Sequence, residues 1–242
     1  MPIVFFSDID DTLIQSKKKC SNEDNLTANA VDAQGHSSSY STPEQQLLIN
    51  LCNEHTLVPV TGRNKAATDR LSLNHHSFQI IDHGAIVLNE QGAIDPSWAQ
   101  MLDTQALPWR AILESYLLQI KQLIAQQQLS LRCKLITDFG YACYLSIKGP
   151  EKDLAKLSPL TETFCALESR ARVHLNLTNM ALLPPFASKK RAVLHVKAIF
   201  LKRNRETLFI GLGDSTSDLD FMHSCHFQMI PQNSQINREK LQ

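Results

Sequence analysis

Short unbroken apolar runs mark the two ends of this chain. IVFF (3–6) is a run of strand formers with no polar interruption, the pattern of a strand buried on both faces of a parallel sheet. TLVPV (56–60) and FQIID (78–82) read as two more strands, TLFIGLGD (207–214) as a late one and HFQMI (226–230) as a short last one. Between them, STPEQQLLINLCNEH (41–55) opens a helix. Thr42 suits its N-cap, Pro43 its first position, and Gln45 completes a capping box, with Leu47, Leu48 and Leu51 expected to face the core. KKRAVLHVKAIFLKR (189–203) and STSDLDFMHS (215–224) predict two later helices. AIVLNEQGAI (85–94) reads as a hairpin turning at NEQG. Residues 15–41, with KKK, NEDN and HSSSYS, show no period and read as a long loop, either a surface excursion or a flap leaving the first strand's end.

The middle of the chain has another rhythm. PWRAILESYLLQIKQLIAQQQ (108–128) carries Trp109, Ile112, Leu113, Tyr116, Ile120, Leu123 and Ile124 on one helical face, which predicts a core-facing helix with a solvated glutamine face. Strand-like LRCKLIT and YACYLSI follow, separated by DFG; PEKDLAKL begins another helix; RVHLNL and MALLP are two further strands. Adjacent strands joined by short turns imply antiparallel pairing, unlike the flanking segments. The chain is therefore expected to be an α/β protein in two parts: a Rossmann-like parallel-sheet core of residues 1–86 and 185–242, with an α+β domain of residues 87–184 inserted into it.

Composition narrows the function classes. Of 242 residues, 43% are hydrophobic, enough for a packed core. Lys plus Arg equals Asp plus Glu at 24 each, so no global charge draws the chain to nucleic acid or an anionic membrane. The apolar runs are far shorter than the ~20 residues that span a bilayer, and MPIVFF lacks the basic start of a signal peptide. The six cysteines form no C-x-x-C pair and read as free thiols of a cytoplasmic protein. The pair His75–His76 has no partner spacing that argues for zinc, and the other histidines read as surface or core residues.

The chemistry concentrates at strand ends. In FFSDIDDTLI the first apolar run stops at Asp8, Asp10 and Asp11, three like charges within four positions. A calcium loop is excluded, because Thr12 and Leu13 stand where it needs Asp or Asn and then glycine. TGR (61–63) follows the second strand, SKK (188–190) opens a late helix, and GDSTSD (213–218) follows the late strand. In an open α/β sheet these groups converge at the carboxyl edge, where ligands bind.

This ordered set resembles the haloacid dehalogenase superfamily of aspartyl-phosphate phosphatases, in its Cof-type and sucrose-phosphatase-like branch with an α/β cap between the second and third motifs. The resemblance covers nearly the whole chain. It implies Asp8 as nucleophile, Asp10 as general acid and base, and Lys189 as the charge offsetting Asp8 and the phosphate, chosen over Lys190 by its place in KKRAV. It implies Mg²⁺ held by Asp8, Asp10 through its backbone carbonyl, Asp214 and Asp218. Thr12, Thr61 and Gly62 would support the phosphate, with Arg63 and His83 on the substrate side. Asp11 departs from the glycine common there and is expected to point away. Ser217 and Lys190 depart from the usual asparagine and glycine.

The expected activity is Mg²⁺-dependent hydrolysis of a small phosphorylated metabolite, a sugar phosphate first, with the cap closing over the substrate. A phosphomutase of the phosphomannomutase type shares this core and cap class. A non-catalytic phospholigand-binding protein is the reading from another class.

Overall fold

A computed structural model describes residues 1–20, 25–73 and 77–240. It divides into two compact units, one of Met1–Ala93 with Lys189–Gln242 and one of Ile94–Ser188.

In the first unit, β1 (Ile3–Ser7) leads through a single 3₁₀ turn, Lys17–Lys19, into a hairpin of β2 (Thr27–Val31) and β3 (Ser37–Ser41). Then come α1 (Pro43–Asn53), β4 (Thr56–Pro59), a single turn α2 (Lys65–Thr68), β5 (Gln79–Ile81) and β6 (Ile86–Leu88). The second unit runs α3 (Pro96–Gln105), α4 (Leu107–Gln126), β7 (Arg132–Asp138), β8 (Tyr141–Lys148), α5 (Glu151–Leu154), α6 (Ser158–Leu167), β9 (Arg172–Asn176) and β10 (Asn179–Leu183). The chain returns to the first unit with α7 (Lys189–Arg203), β11 (Leu208–Leu212), α8 (Leu219–Met222), β12 (Phe227–Met229) and α9 (Gln235–Lys240).

The first unit is built on a parallel sheet in the order β12-β11-β1-β4. β1 is central and buried on both faces, which is why its sequence is apolar without alternation. Phe6 stacks on Phe209 of β11 at 5.9 Å between ring centroids, and both are fully buried. Burial of such a side chain stabilises by about 1.5–3 kcal/mol. A bridge from Val60 to Ile80 carries the parallel direction on to β5. In the second unit, an antiparallel sheet of order β7-β8-β10-β9 packs against Leu113, Tyr116 and Ile120 of α4 and Phe164 of α6. Phe164 meets Trp109 and Tyr116 edge-on. The stripe read along α4 is the one that is buried or packed on this core.

Several local expectations change. Residues 15–41 contain the β2–β3 hairpin, with Gln15 also bridged to Tyr40. Its strands TANAV and SSSYS hold mostly small side chains, and the buried positions in TANAV are the neighbours Asn29 and Ala30, so no alternation of large apolar residues can be read. The α1 capping box is present, but Leu47 and Leu51 are exposed, while Ile49 and Cys52 are buried and Leu48 is only half-buried against the core. Apolar residues lie nearly all round this helix, so its period alone does not select the buried stripe. NEQG does turn, closed by the Asn89 amide on the Ala93 carbonyl, but β6 pairs antiparallel with β5 instead of with the residues after the turn. His75 and His76 lie outside the described residues.

Candidate active site

Asp8 sits one residue past β1, where its amide makes a last ladder bond to Leu212 of β11 at 2.9 Å. The chain then reverses tightly, with the amides of Leu13 and Ile14 both bonding the Ile9 carbonyl. Ile9, Leu13 and Ile14 are fully buried in a cluster with Phe5, Leu57 and Leu212, so apolar side chains anchor the turn that presents the aspartates. Asp11 has φ of 65°, the left-handed region that glycine takes freely and aspartate tolerates.

Lys189 opens α7, a poor place for a cation beside a helix N-terminus. Two carboxylates offset this: Nζ donates to Asp8 Oδ1 at 2.6 Å and to Asp218 Oδ1 at 2.7 Å. Lys190 is exposed. Asp218 is fully buried, and its other oxygen accepts from the Ser215 hydroxyl at 2.6 Å and the Ser215 amide at 3.2 Å in a capping box. Asp214 is half-buried after β11 and accepts from the Thr12 hydroxyl at 3.4 Å. Ser217 bonds Ser215, hydroxyl to hydroxyl, at 2.8 Å.

The oxygens of Asp8, Asp214 and Asp218 lie within 4.8 Å of one another. Burial raises the Asp8 carboxyl well above its ordinary range, and the charges of Asp218 and Asp214 add to the rise against the opposing Lys189. Asp214 is pushed up to about 7 by burial, then by Asp218 and Asp11. Burial alone would lower Lys189, but Asp218 and Asp8 more than reverse it and raise its pKa. Three carboxyl groups facing one ammonium resist ionising together without a further cation, and their hard oxygen donors fit a divalent one. The side chain of Asp10 is not in the cluster.

Thr61 is buried beyond β4, its hydroxyl accepting from the Arg63 amide at 3.1 Å and its carbonyl from the His83 amide at 3.0 Å. Asp82, His83 and Gly84 all have positive φ, at 54°, 56° and 88°, a backbone that costs energy for the first two and lays the His83 ring on Gly62. A Cβ at Gly62 would lie 2.5 Å from His83 Cε1. Gly62→Ala should therefore displace the ring and lower the melting temperature by a few degrees, about 1–3 kcal/mol. Adding His83→Ala should restore most of that loss; thermal melts of the single and double variants check it, and two additive losses would contradict the contact.

Arg63 does not point into open space: Nε and Nη2 donate to the two Asp10 oxygens at 2.8 and 2.6 Å, and Nη2 also reaches Ser39 Oγ at 3.2 Å. Asp11 pairs with Lys19, yet its charge is felt at Asp214, so it is less remote than expected. Ser39, Ser215 and Lys19 are contacts that the sequence reading did not assign. Ser215 lay within the GDSTSD motif, whereas nothing in the polar segment around Ser39 singles it out.

No family model matches this sequence, and no curated protein matches it. Solved structures do match. The chain shares its fold with two phosphatases and a haloacid dehalogenase-like hydrolase. The sucrose-phosphatase of Synechocystis sp., solved with sucrose and phosphate, is 18% identical with a TM-score of 0.57 over 100% of this chain and 87% of that one. The trehalose-6-phosphate phosphatase C-terminal domain of C. albicans is 14% identical, with a TM-score of 0.59 over 92% and 73%. A haloacid dehalogenase-like hydrolase from Bacteroides thetaiotaomicron is 12% identical, with a TM-score of 0.51 over 95% and 94%. Likeness at these identities is a likeness of fold. Among the described residues no helix is long and apolar enough to cross a membrane.

Proposed function

We propose that this chain is a Mg²⁺-dependent phosphatase that hydrolyses a small phosphorylated metabolite, a sugar phosphate first, through a phosphorylated Asp8. The observation that carries the reading is Asp8 at the carboxyl edge of the sheet, held by Lys189 within a cluster of three carboxylates. A sugar phosphate is supported by structural neighbours named as a sucrose-phosphatase and a trehalose-6-phosphate phosphatase. Six cysteines, none in a disulfide, suit the reducing cytoplasm, where we place the protein.

In the first step Asp8 Oδ attacks phosphorus in line, the bond to the leaving oxygen breaks, and its electron pair takes a proton from the Asp10 carboxyl. In the second, water attacks the aspartyl-phosphate and loses a proton to Asp10, and inorganic phosphate leaves with Asp8 restored as a carboxylate. Lys189 holds the Asp8 carboxylate and offsets its charge as the phosphoryl group arrives. Thr61, with the Gly62 amide, holds phosphoryl oxygens, and Thr12 steadies Asp214. Asp8, Asp214 and the Asp10 backbone carbonyl would hold the Mg²⁺, with Asp218 supporting it and Lys189 together. The ion would neutralise charge spreading over the transferring group.

The test is inorganic phosphate release with Mg²⁺ across a panel of phosphorylated sugars and other metabolites. Release from at least one, abolished by chelator, is expected. Phosphate moved between sugar positions without net release would indicate a mutase, and ligand-induced stabilisation with no turnover a binding protein.

The site also predicts a pH dependence of stability. An unfolded aspartate titrates near pH ~4, and folded Asp214 near about 7. Between these values the folded, metal-stripped chain keeps a proton that the unfolded chain has lost, so stability falls as pH rises through that window. Asp214 would give up that proton on holding Mg²⁺. Melting temperature in chelator should therefore drop from about pH 5 to about pH 8, and Mg²⁺ should raise it more at the higher pH. Equal responses at both would contradict the metal site.

A further inference from the structure

We propose that Arg63 is the positioning residue of Asp10, not a contact of the substrate, and that the β2–β3 hairpin holds Arg63 in that role. The inference rests on the reading of Asp10 as the proton-transfer group. Arg63 meets both Asp10 oxygens in a parallel fork, at 2.8 Å from Nε and 2.6 Å from Nη2. Such a fork fixes the plane of a carboxylate as well as its place, which a single point charge does not.

The pair is unevenly exposed, with 17% of the Arg63 side chain accessible against 51% of Asp10. Arg63 thus grips Asp10 from the protein side. Each carboxylate oxygen has two lone-pair directions. The fork uses one on each, leaving the outward ones for the leaving oxygen and then for water. An arginine that received the phosphate would keep its fork open, whereas here Nε and Nη2 are committed to Asp10 and Ser39.

Arg63 is itself held at both ends. Its amide donates to Thr61 Oγ1 at 3.1 Å and its carbonyl accepts from the Asp82 amide at 2.8 Å. At the tip, Nη2 reaches Ser39 Oγ at 3.2 Å, and Ser39 is buried on β3. β3 is pinned beside the aspartate turn by paired backbone bonds between Gln15 and Tyr40, at 2.7 and 2.8 Å. The hairpin is therefore a buttress reaching Asp10 through Ser39 and Arg63, which gives the non-periodic segment 15–41 a task.

The test uses the full chain with Mg²⁺, comparing wild type with Arg63→Ala, Arg63→Lys and Ser39→Ala. The probes are glucose 6-phosphate and p-nitrophenyl phosphate, whose leaving group departs without a proton. Arg63→Ala should lower kcat on the sugar phosphate about 100-fold, the size of a lost acid–base contribution, with KM held within about threefold. The loss on the aryl ester should be about tenfold smaller, because only the step that needs no leaving-group proton is spared. Millimolar guanidinium should partly restore Arg63→Ala and leave Asp10→Ala inactive. Arg63→Lys should recover little, since it supplies charge without the fork, and Ser39→Ala should lose less than Arg63→Ala.

A rise in KM with kcat intact would make Arg63 a substrate contact and overturn the proposal. Parallel losses on both probes without rescue would reduce it to a structural role and also overturn it. Melting temperatures of Arg63→Ala, Asp10→Ala and the double variant report on the clamp without turnover, and the second replacement should add little to the first. Additive losses there would overturn the clamp, whereas wild type that releases phosphate from neither probe nor any member of the metabolite panel would overturn the phosphatase reading instead.

Discussion

Asp8→Asn is expected to reduce phosphate release by about a thousandfold or more, because an amide oxygen is a poor nucleophile. Loss of activity alone does not separate a missing nucleophile from a misfolded site, but stability does. Burial raises the Asp8 carboxyl well above its ordinary value. The folded chain thus disfavours its charge at neutral pH, and that cost appears as pH rises past the unfolded value near ~4. Asparagine removes the charge, and Lys189 keeps Asp218 as a partner. In the absence of metal, the variant should melt at or above the wild-type temperature at neutral pH, with no such advantage near pH 4. Circular dichroism melts beside the phosphate assay check this. An inactive variant that also melts early at neutral pH would speak against a purely chemical role.

Lys189→Met should have the second large effect, on activity and stability together. The lysine is nearly buried and bridges two carboxylates at 2.6 and 2.7 Å. Its raised pKa means that its stabilising contribution is fully present at neutral pH and is lost only as pH climbs beyond the ordinary lysine range. Removing it leaves Asp8, Asp218 and Asp214 facing one another, at a cost of about 3–5 kcal/mol for an uncompensated buried charge. Melting temperature should fall markedly at neutral pH and recover in part at lower pH, where the carboxyls take protons, or with added Mg²⁺. Turnover should fall about 100-fold or more, since the charge nearest the arriving phosphoryl group is gone. A variant that melts like wild type at neutral pH would show that the ion pairs do not bear on stability.

The parts of this molecule that the sequence discloses are those fixed by burial. IVFF, TLVPV and TLFIGLGD are apolar because both faces of their sheet are covered, and all three are strands of it. The α4 stripe is legible for the same reason. The β2–β3 hairpin was not, because TANAV and SSSYS hold their places through backbone pairing and small buried groups such as Ser39 and Ser41. Around α1 the apolar residues were too many, so period alone chose Leu47 and Leu51 where the fold buries Ile49 and Cys52.

The site divides in the same manner. Asp8, Lys189, Asp214 and Asp218 were visible as residue types at strand ends and a helix start, and the fold brings them into one cluster. The partner of Arg63 was not visible, because a hydrogen bond across 53 positions of chain leaves no local pattern. Asp11 shows the opposite case. It was expected to point away from the site, yet in its left-handed turn, with φ of 65°, its charge still reaches Asp214, which depends on how the turn folds.

The measurement that bears most directly on the central claim is chemical capture of the intermediate. The full chain is mixed with Mg²⁺ and a sugar phosphate it hydrolyses, quenched in acid within the first turnover, and reduced with borohydride, which converts an aspartyl-phosphate to homoserine. Peptide sequencing by mass spectrometry then locates the modified residue. Homoserine at position 8, absent from Asp8→Asn and from chelator-treated protein, is the predicted result. Phosphate release with no modified residue, or with the modification at another position, would contradict the account.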